Sequence, residues 1–136
     1  MTSRICLDTG PITLHFTKDE PKEITTLMND IKQQKTEAHV ISPILVEVFK
    51  HLCIAKGKQF AELSISSLQK IYPLIFVSLS NDIILKAGGL KCQYRRILSY
   101  FDCLVIAYAL NEKLVLHTTE KDFPSIQNLR VKKYQF

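Results

Sequence analysis

The sequence predicts an α/β fold: a central parallel sheet of four to five short strands with helices on both faces, formed as one domain over residues 1–136. Three observations predict it. Short apolar runs of strand length alternate with segments of helical periodicity, the pattern of a parallel sheet buried between helices. The length of 136 residues suits one domain with its own core. The composition, 46% hydrophobic and 23% charged, holds no low-complexity tract, repeat or linker.

Arg4 to Asp8 reads as a short buried strand ending on an acid, and Gly10-Pro11 as a turn that cannot continue regular structure. Pro21 suits a first helical turn, and Ile24, Leu27, Met28 and Ile31 then fall on one helical face. His39 to Ile41 is a second strand. Ser42 and Pro43 offer an N-cap and an N1 proline for a helix that carries Glu47 and closes at Gly57. Phe60 to Tyr72 predicts a further helix, ended by Pro73 before a third buried strand, Ile75 to Leu79. Ser80-Asn81-Asp82 starts a helix through Leu90, weakened by Gly88-Gly89. Ser99 caps the next, which runs to about Asn111 and is apolar on almost every side, so it belongs at the centre. Leu114 to His117 is a fourth strand and Val131 to Tyr134 a short fifth.

Composition excludes several classes. No apolar segment approaches the roughly 20 residues of a membrane helix. Asp8 interrupts the N-terminal apolar stretch, which lacks a small-residue cleavage pattern, so a cytoplasmic protein without a signal peptide is expected. Cys6, Cys53, Cys92 and Cys103 are widely spaced, with no C-x-x-C pair and no zinc-finger histidine, and read as reduced, buried small hydrophobes. The 18 basic and 13 acidic residues give a net charge of +5, a mild bias towards polyanions.

Chemistry points to the acids. Asp8 follows Ile5-Cys6-Leu7, Glu47 sits inside Ile44 to Phe49, and Asp102 inside Tyr100 to Ile106, each the only charge in its apolar run. An ionised carboxylate is costly to bury unless compensated, and a shared cation would compensate all three. Parallel α/β sheets bind ligands beyond the carboxyl ends of their strands, where strand order reverses. Asp8 lies at such an end, and Glu120 follows the fourth strand through Thr118-Thr119. Oxygen donors without obligatory His or Cys favour Mg²⁺ or Mn²⁺, which activate water and offset phosphodiester charge. Local readings stand beside this one. Asp102 can form a capping box with Ser99, Asp8 can hold the turn at Gly10, Glu47 can pair with Lys50, and Glu120 can be surface charge.

The chain also resembles PIN-domain nucleases, and more narrowly the short VapC-type toxins of toxin–antitoxin pairs. The likeness rests on Leu7-Asp8-Thr9, on Ile41 to Glu47, on Leu98 to Ala107, and on Leu116 to Phe123. It implies a flavodoxin-like strand order, 3-2-1-4-5, with Asp8, Glu47 and Asp102 as catalytic and metal-binding carboxylates and Glu120 as the fourth acid. Thr9, Thr118, Ser99 and Asp122 would support them. Glu120 replaces the more usual Asp, which leaves its direct contact with metal open and Asp122 as a substitute. The resemblance further implies an RNA substrate, a cognate antitoxin protein and a homodimer. An RNA-processing PIN nuclease without antitoxin, or a catalytically weak RNA-binding module, would share these motifs.

Setting the four proposed ligands aside, 13 less 4 leaves 9 acids against 18 bases, a surface that attracts phosphate. Lys91, Arg95 and Arg96, with Lys50, Lys56 and Lys58, are candidate substrate-binding bases, and Tyr94 a candidate stacking face. His117 and His15 lie near the expected site, although metal-activated water needs no histidine base.

Overall fold

The structure, a computed structural model, describes residues 2–135. In chain order the elements are β1 (Ser3–Leu7), α1 (Thr9–His15), α2 (Lys22–Lys32), β2 (Thr36–Ile41), α3 (Ile44–Lys56), α4 (Lys58–Ile71), β3 (Ile75–Val77), α5 (Asn81–Gln93), α6 (Tyr100–Glu112), β4 (Val115–Thr118) and β5 (Val131–Lys133). The strands form one parallel sheet in the order β3-β2-β1-β4-β5, as expected. Successive strand residues point to opposite faces, so the unbroken burial of Ile5 to Leu7 and of Ala38 to Ile41 requires cover on both. Helices supply it: α1 to α4 accompany the chain outward from β1 to β3, and α5 and α6 return it to β4, a reversal that the right-handed rule for parallel crossovers turns into cover on the opposite face.

Side-chain patterning explains the elements that matter for the site. In α2 the buried residues are Ile24, Leu27, Met28 and Ile31, the face read from their spacing. In α6, Cys103 and Val105 to Ala109 are buried, while Tyr100 at its start stays exposed. That helix runs straight into β4, so its first turn stands at the carboxyl edge of the sheet.

Four expectations need correction. Gly10 and Pro11 do not interrupt regular structure; they lie in the first turn of α1, capped by Asp8. Proline is tolerated there because its missing N–H would have no intrahelical partner. The α3 helix opens on Pro43 without a side-chain cap, Ser42 using its carbonyl to accept from Leu45 N–H at 3.0 Å. β3 is shorter than expected and only half-buried, because an edge strand has a neighbour on one side alone. Of the cysteines, Cys6 and Cys103 are buried as read, but Cys53 is half-buried and Cys92 exposed; all four are free thiols.

Gly10 marks a close approach. A Cβ at this position would collide with Thr119 Oγ1 and stand 2.8 Å from Thr119 Cβ, so glycine is what lets α1 press against the segment after β4. Gly10→Ala is therefore expected to cost about 1–3 kcal/mol, seen as a lower urea midpoint at unchanged slope. A double-mutant cycle with Thr119→Gly should show favourable coupling. An unchanged midpoint would refute the contact.

Candidate active site

Asp8 stands where strand order reverses, between the ends of β1 and β4. Its Oδ1 accepts from Thr9 N–H at 2.8 Å and its Oδ2 from the Thr118 hydroxyl at 2.7 Å. Its own N–H donates to the His117 carbonyl at 3.0 Å, so the two strand ends are tied by main chain and side chain. The residue is 5% exposed. Burial pushes its pKa up to about 6; the two hydrogen bonds pull the other way, and Asp102 and Glu47 add repulsion.

The other acids arrive from three separate elements. Glu47, in the first turn of α3, accepts from the Thr9 hydroxyl at 3.3 Å and lies 3.6 Å from His51 Nε2 one turn on. Asp102 forms the capping box with Ser99: Ser99 N–H donates to Asp102 Oδ2 at 3.0 Å, and Asp102 N–H to Ser99 Oγ at 3.1 Å. Capping and site membership are thus compatible, because Asp102 Oδ1 lies outside the box. Glu120 is the most exposed of the four, its N–H donating to Thr118 Oγ1 at 3.0 Å. Partial burial raises its pKa, with repulsion from Asp102, Asp122 and Glu47 adding to the rise.

All four carboxylates line one cavity of about 380 Å³. Among the described residues no three Asp, Glu, His or Cys groups stand close enough to grip one ion directly. The donor set nevertheless fits a hard divalent cation, since Mg²⁺-class ions keep several waters and accept carboxylates through them. Thr13 Oγ1, on a residue that lines the same cavity, is buried without a hydrogen-bond partner among the described residues, leaving a polar group for the cavity's contents.

Other expected residues fall into two groups. Thr9 and Thr118 hold acids in place, and Ser99 holds Asp102. Asp122 does not line the cavity, although its charge reaches Glu120. Lys91, Arg95 and Arg96 also lie outside the lining. Lys91 Nζ donates to the carbonyls of Arg95 (3.1 Å) and Leu98 (2.6 Å), closing the turn between α5 and α6. His15 bridges Glu20 at 3.0 Å and Tyr72 at 2.9 Å. His117 bonds the Tyr134 hydroxyl at 2.8 Å, and burial, then Lys132, pushes its pKa down to about 4. Neither histidine lines the acidic cavity.

Sequence reading missed His51, Thr13, Lys121 and Tyr134 in that lining. The first two were recoverable: His51 lies four residues beyond Glu47 and Thr13 four beyond Thr9, one helical turn in each case. Tyr134 carried no local signal, since its placement depends on β5 pairing with β4, where Tyr134 N–H donates to the Thr118 carbonyl at 2.9 Å.

Three solved structures illustrate the fold's company. VapBC2 from Rickettsia felis, bound to a DNA fragment from its promoter, matches with a TM-score of 0.75 at 18% identity, covering 96% of this chain and 98% of that one. DNA-bound VapBC from Salmonella typhimurium matches at 0.73 and 17% identity, covering 98% of each chain. VapC20 from Mycobacterium tuberculosis, a sarcin-ricin loop cleaving toxin, matches at 0.65 and 12% identity, covering 82% and 86%. These likenesses concern the fold. A search of curated proteins by sequence gave no match. The family model of the PIN domain matches residues 5–129, most of the 136, and with that match the chain belongs to the PIN domain family.

Proposed function

We propose that this protein is a metal-dependent endoribonuclease, hydrolysing RNA phosphodiester bonds at the cavity of Asp8, Glu47, Asp102 and Glu120, and that it serves as the toxin of a VapBC-type toxin–antitoxin pair. The observation that carries the reading is the convergence of four carboxylates from four elements on one cavity, with no lysine or arginine ion-paired to any of them among the described residues. Acids gathered merely for structure would be expected to pair with bases.

Asp8, Glu47 and Asp102 would hold Mg²⁺ or Mn²⁺, with Glu120 joining directly or through water. Such an ion, when bound, lowers the pKa of water and offsets charge on a phosphodiester. Thr118 fixes one oxygen of Asp8, Thr9 N–H fixes the other, and the Ser99 box fixes Asp102, so each acid presents a set direction to the cavity.

The toxin reading is supported by family membership and by the VapBC neighbours, and implies an antitoxin partner, a homodimer and a cytoplasmic site of action. Ile84, Leu85, Ile97 and Tyr100, all exposed, supply apolar area for such partners. No helix among the described residues is long and apolar enough to cross a membrane.

Purified protein is expected to cleave single-stranded RNA only with Mg²⁺ or Mn²⁺. Asp8→Asn and Asp102→Asn should each reduce cleavage by more than about 100-fold, and Thr118→Val by about 10- to 100-fold, with circular dichroism unchanged. Undiminished cleavage in EDTA would refute the proposal.

A stability measurement tests the cavity independently. Native Asp8 holds its proton more tightly than the unfolded chain does, so its stabilising contribution is fullest below pH 3.8 and is lost as pH rises through about 6. That loss is on the order of 3 kcal/mol. Without metal, Asp8→Asn should melt higher than the parent at pH 7.5, with the gain vanishing near pH 4. Mn²⁺ should raise the melting temperature of the parent but not of Asp8→Asn or Glu47→Gln. Equal Mn²⁺ shifts in all three would remove the metal site.

A further inference from the structure

We infer that the RNA strand leaves the acidic cavity along the β5 edge of the sheet, over Lys121, Lys132 and Lys133, rather than over Lys91, Arg95 and Arg96 at the end of α5 and in the turn after it. The inference rests on the ribonuclease reading and adds the path of its substrate.

The geometry begins with Lys121, the lysine in the cavity lining. Lys133 Nζ donates to the Lys121 carbonyl at 3.4 Å, tying the segment after β4 to the end of β5. In the sheet register Lys133 is the partner of Thr118, the residue that holds Asp8, so the two strands set Lys133 about 4.8 Å to the side of that residue. Lys132 lies over the Tyr134 ring, 5.7 Å from its centroid. Tyr134 in turn lines both the acidic cavity and a second cavity of about 670 Å³ on the sheet face beside α2. The second cavity includes Lys132 in its wall, so Tyr134 is the wall residue that the two cavities share.

Charge gives the path its direction. From Phe123 to the end of the sequence there is no acid, and Arg130, Lys132 and Lys133 are all basic. Across the second cavity the α2 wall carries Glu23 and Asp30 against the one base Lys22, a net negative charge that disfavours phosphate relative to the β5 side. Lys91 on α5 and Arg95 and Arg96 in the turn after it lack this adjacency, since none of the three lines the acidic cavity. Lysines on an edge strand also discourage pairing with other sheets, a role that makes no demand on RNA affinity.

The test is direct binding of a fluorescein-labelled single-stranded RNA oligonucleotide to the full chain carrying Asp8→Asn, measured by anisotropy across a salt series without metal. Adding Lys132→Ala/Lys133→Ala should weaken binding about tenfold at 0.1 M salt and make the slope of log affinity against log salt shallower by about 1.4. Lys132→Arg/Lys133→Arg should restore both. Lys32→Ala/Lys35→Ala, at the amino-terminal edge of the sheet, should leave both unchanged. Unchanged affinity and slope in Lys132→Ala/Lys133→Ala would overturn the inference, as would a loss confined to Arg95→Ala/Arg96→Ala. Competition by polyglutamate as strong as by unlabelled RNA would overturn it too, marking the edge as a site for acidic chains in general. If the unsubstituted protein neither binds nor cleaves RNA, the ribonuclease reading itself falls; if it cleaves while the lysine variants bind normally, only the path falls.

Discussion

Repulsion among Asp8, Glu47, Asp102 and Glu120 is the constraint around which the rest of the structure is arranged. Asp8 is nearly inaccessible to water and feels both Asp102 and Glu47, so its charge must be offset locally or surrendered to a proton. The fold offsets it with oriented dipoles. Asp8 caps α1, Glu47 sits in the first turn of α3, and Asp102 occupies the third position of α6, so three acids stand at helix starts where unpaired N–H groups concentrate positive potential. A parallel sheet brings those starts to one edge, and reversal of strand order between β1 and β4 opens the gap in which they meet.

The same constraint explains which hydrogen bonds the site uses. Hydroxyls and backbone N–H groups, rather than lysine or arginine, contact the acids: Thr118 and Thr9 N–H on Asp8, the Thr9 hydroxyl on Glu47, and Ser99 N–H on Asp102. A neutral donor fixes the direction of a carboxylate without cancelling its charge, whereas a guanidinium would do both. The surface ion pairs, such as Arg4 with Glu37 and Lys86 with Asp82, stand elsewhere; among the described residues the one ion pair at the cavity is that of Glu47 with His51, which is cationic only when protonated.

Much of this was legible in the sequence because both periodicity and burial leave local marks. The face of α2, the apolar length of α6, the end of β1 at Asp8 and the Ser99 cap followed from spacing alone, and three of the four acids stood out as single charges in apolar runs. What escaped was set by partners distant in the chain. Gly10-Pro11 looked like a break because the first turn of a helix forgives proline, and the reason for Gly10 lies more than a hundred positions away, in Thr119. The half-burial of β3 follows from its place at the sheet edge, which the strand's own residues do not encode. The strand order itself came from resemblance. Tyr134 enters the cavity wall only because β5 pairs with β4, a register that no local motif announces.

Glu120 shows how a departure from the family's usual aspartate can be absorbed. Thr118 Oγ1 donates to Asp8 and accepts from Glu120 N–H, so one hydroxyl sets both the innermost acid and the backbone from which the outermost one extends. The backbone of residue 120 is therefore fixed relative to Asp8, and only the side chain remains to adjust. An aspartate there would be tied close to its own backbone, while glutamate carries its charge one methylene further from a more exposed segment. Partial burial, and after it repulsion from Asp102, Asp122 and Glu47, raises its pKa, so its carboxylate senses the other acids from a more exposed position than theirs. A longer arm from a fixed base would suit the proposed role of Glu120, reaching a metal through water, and leaves the buried position to Asp8 and its hydroxyl partner.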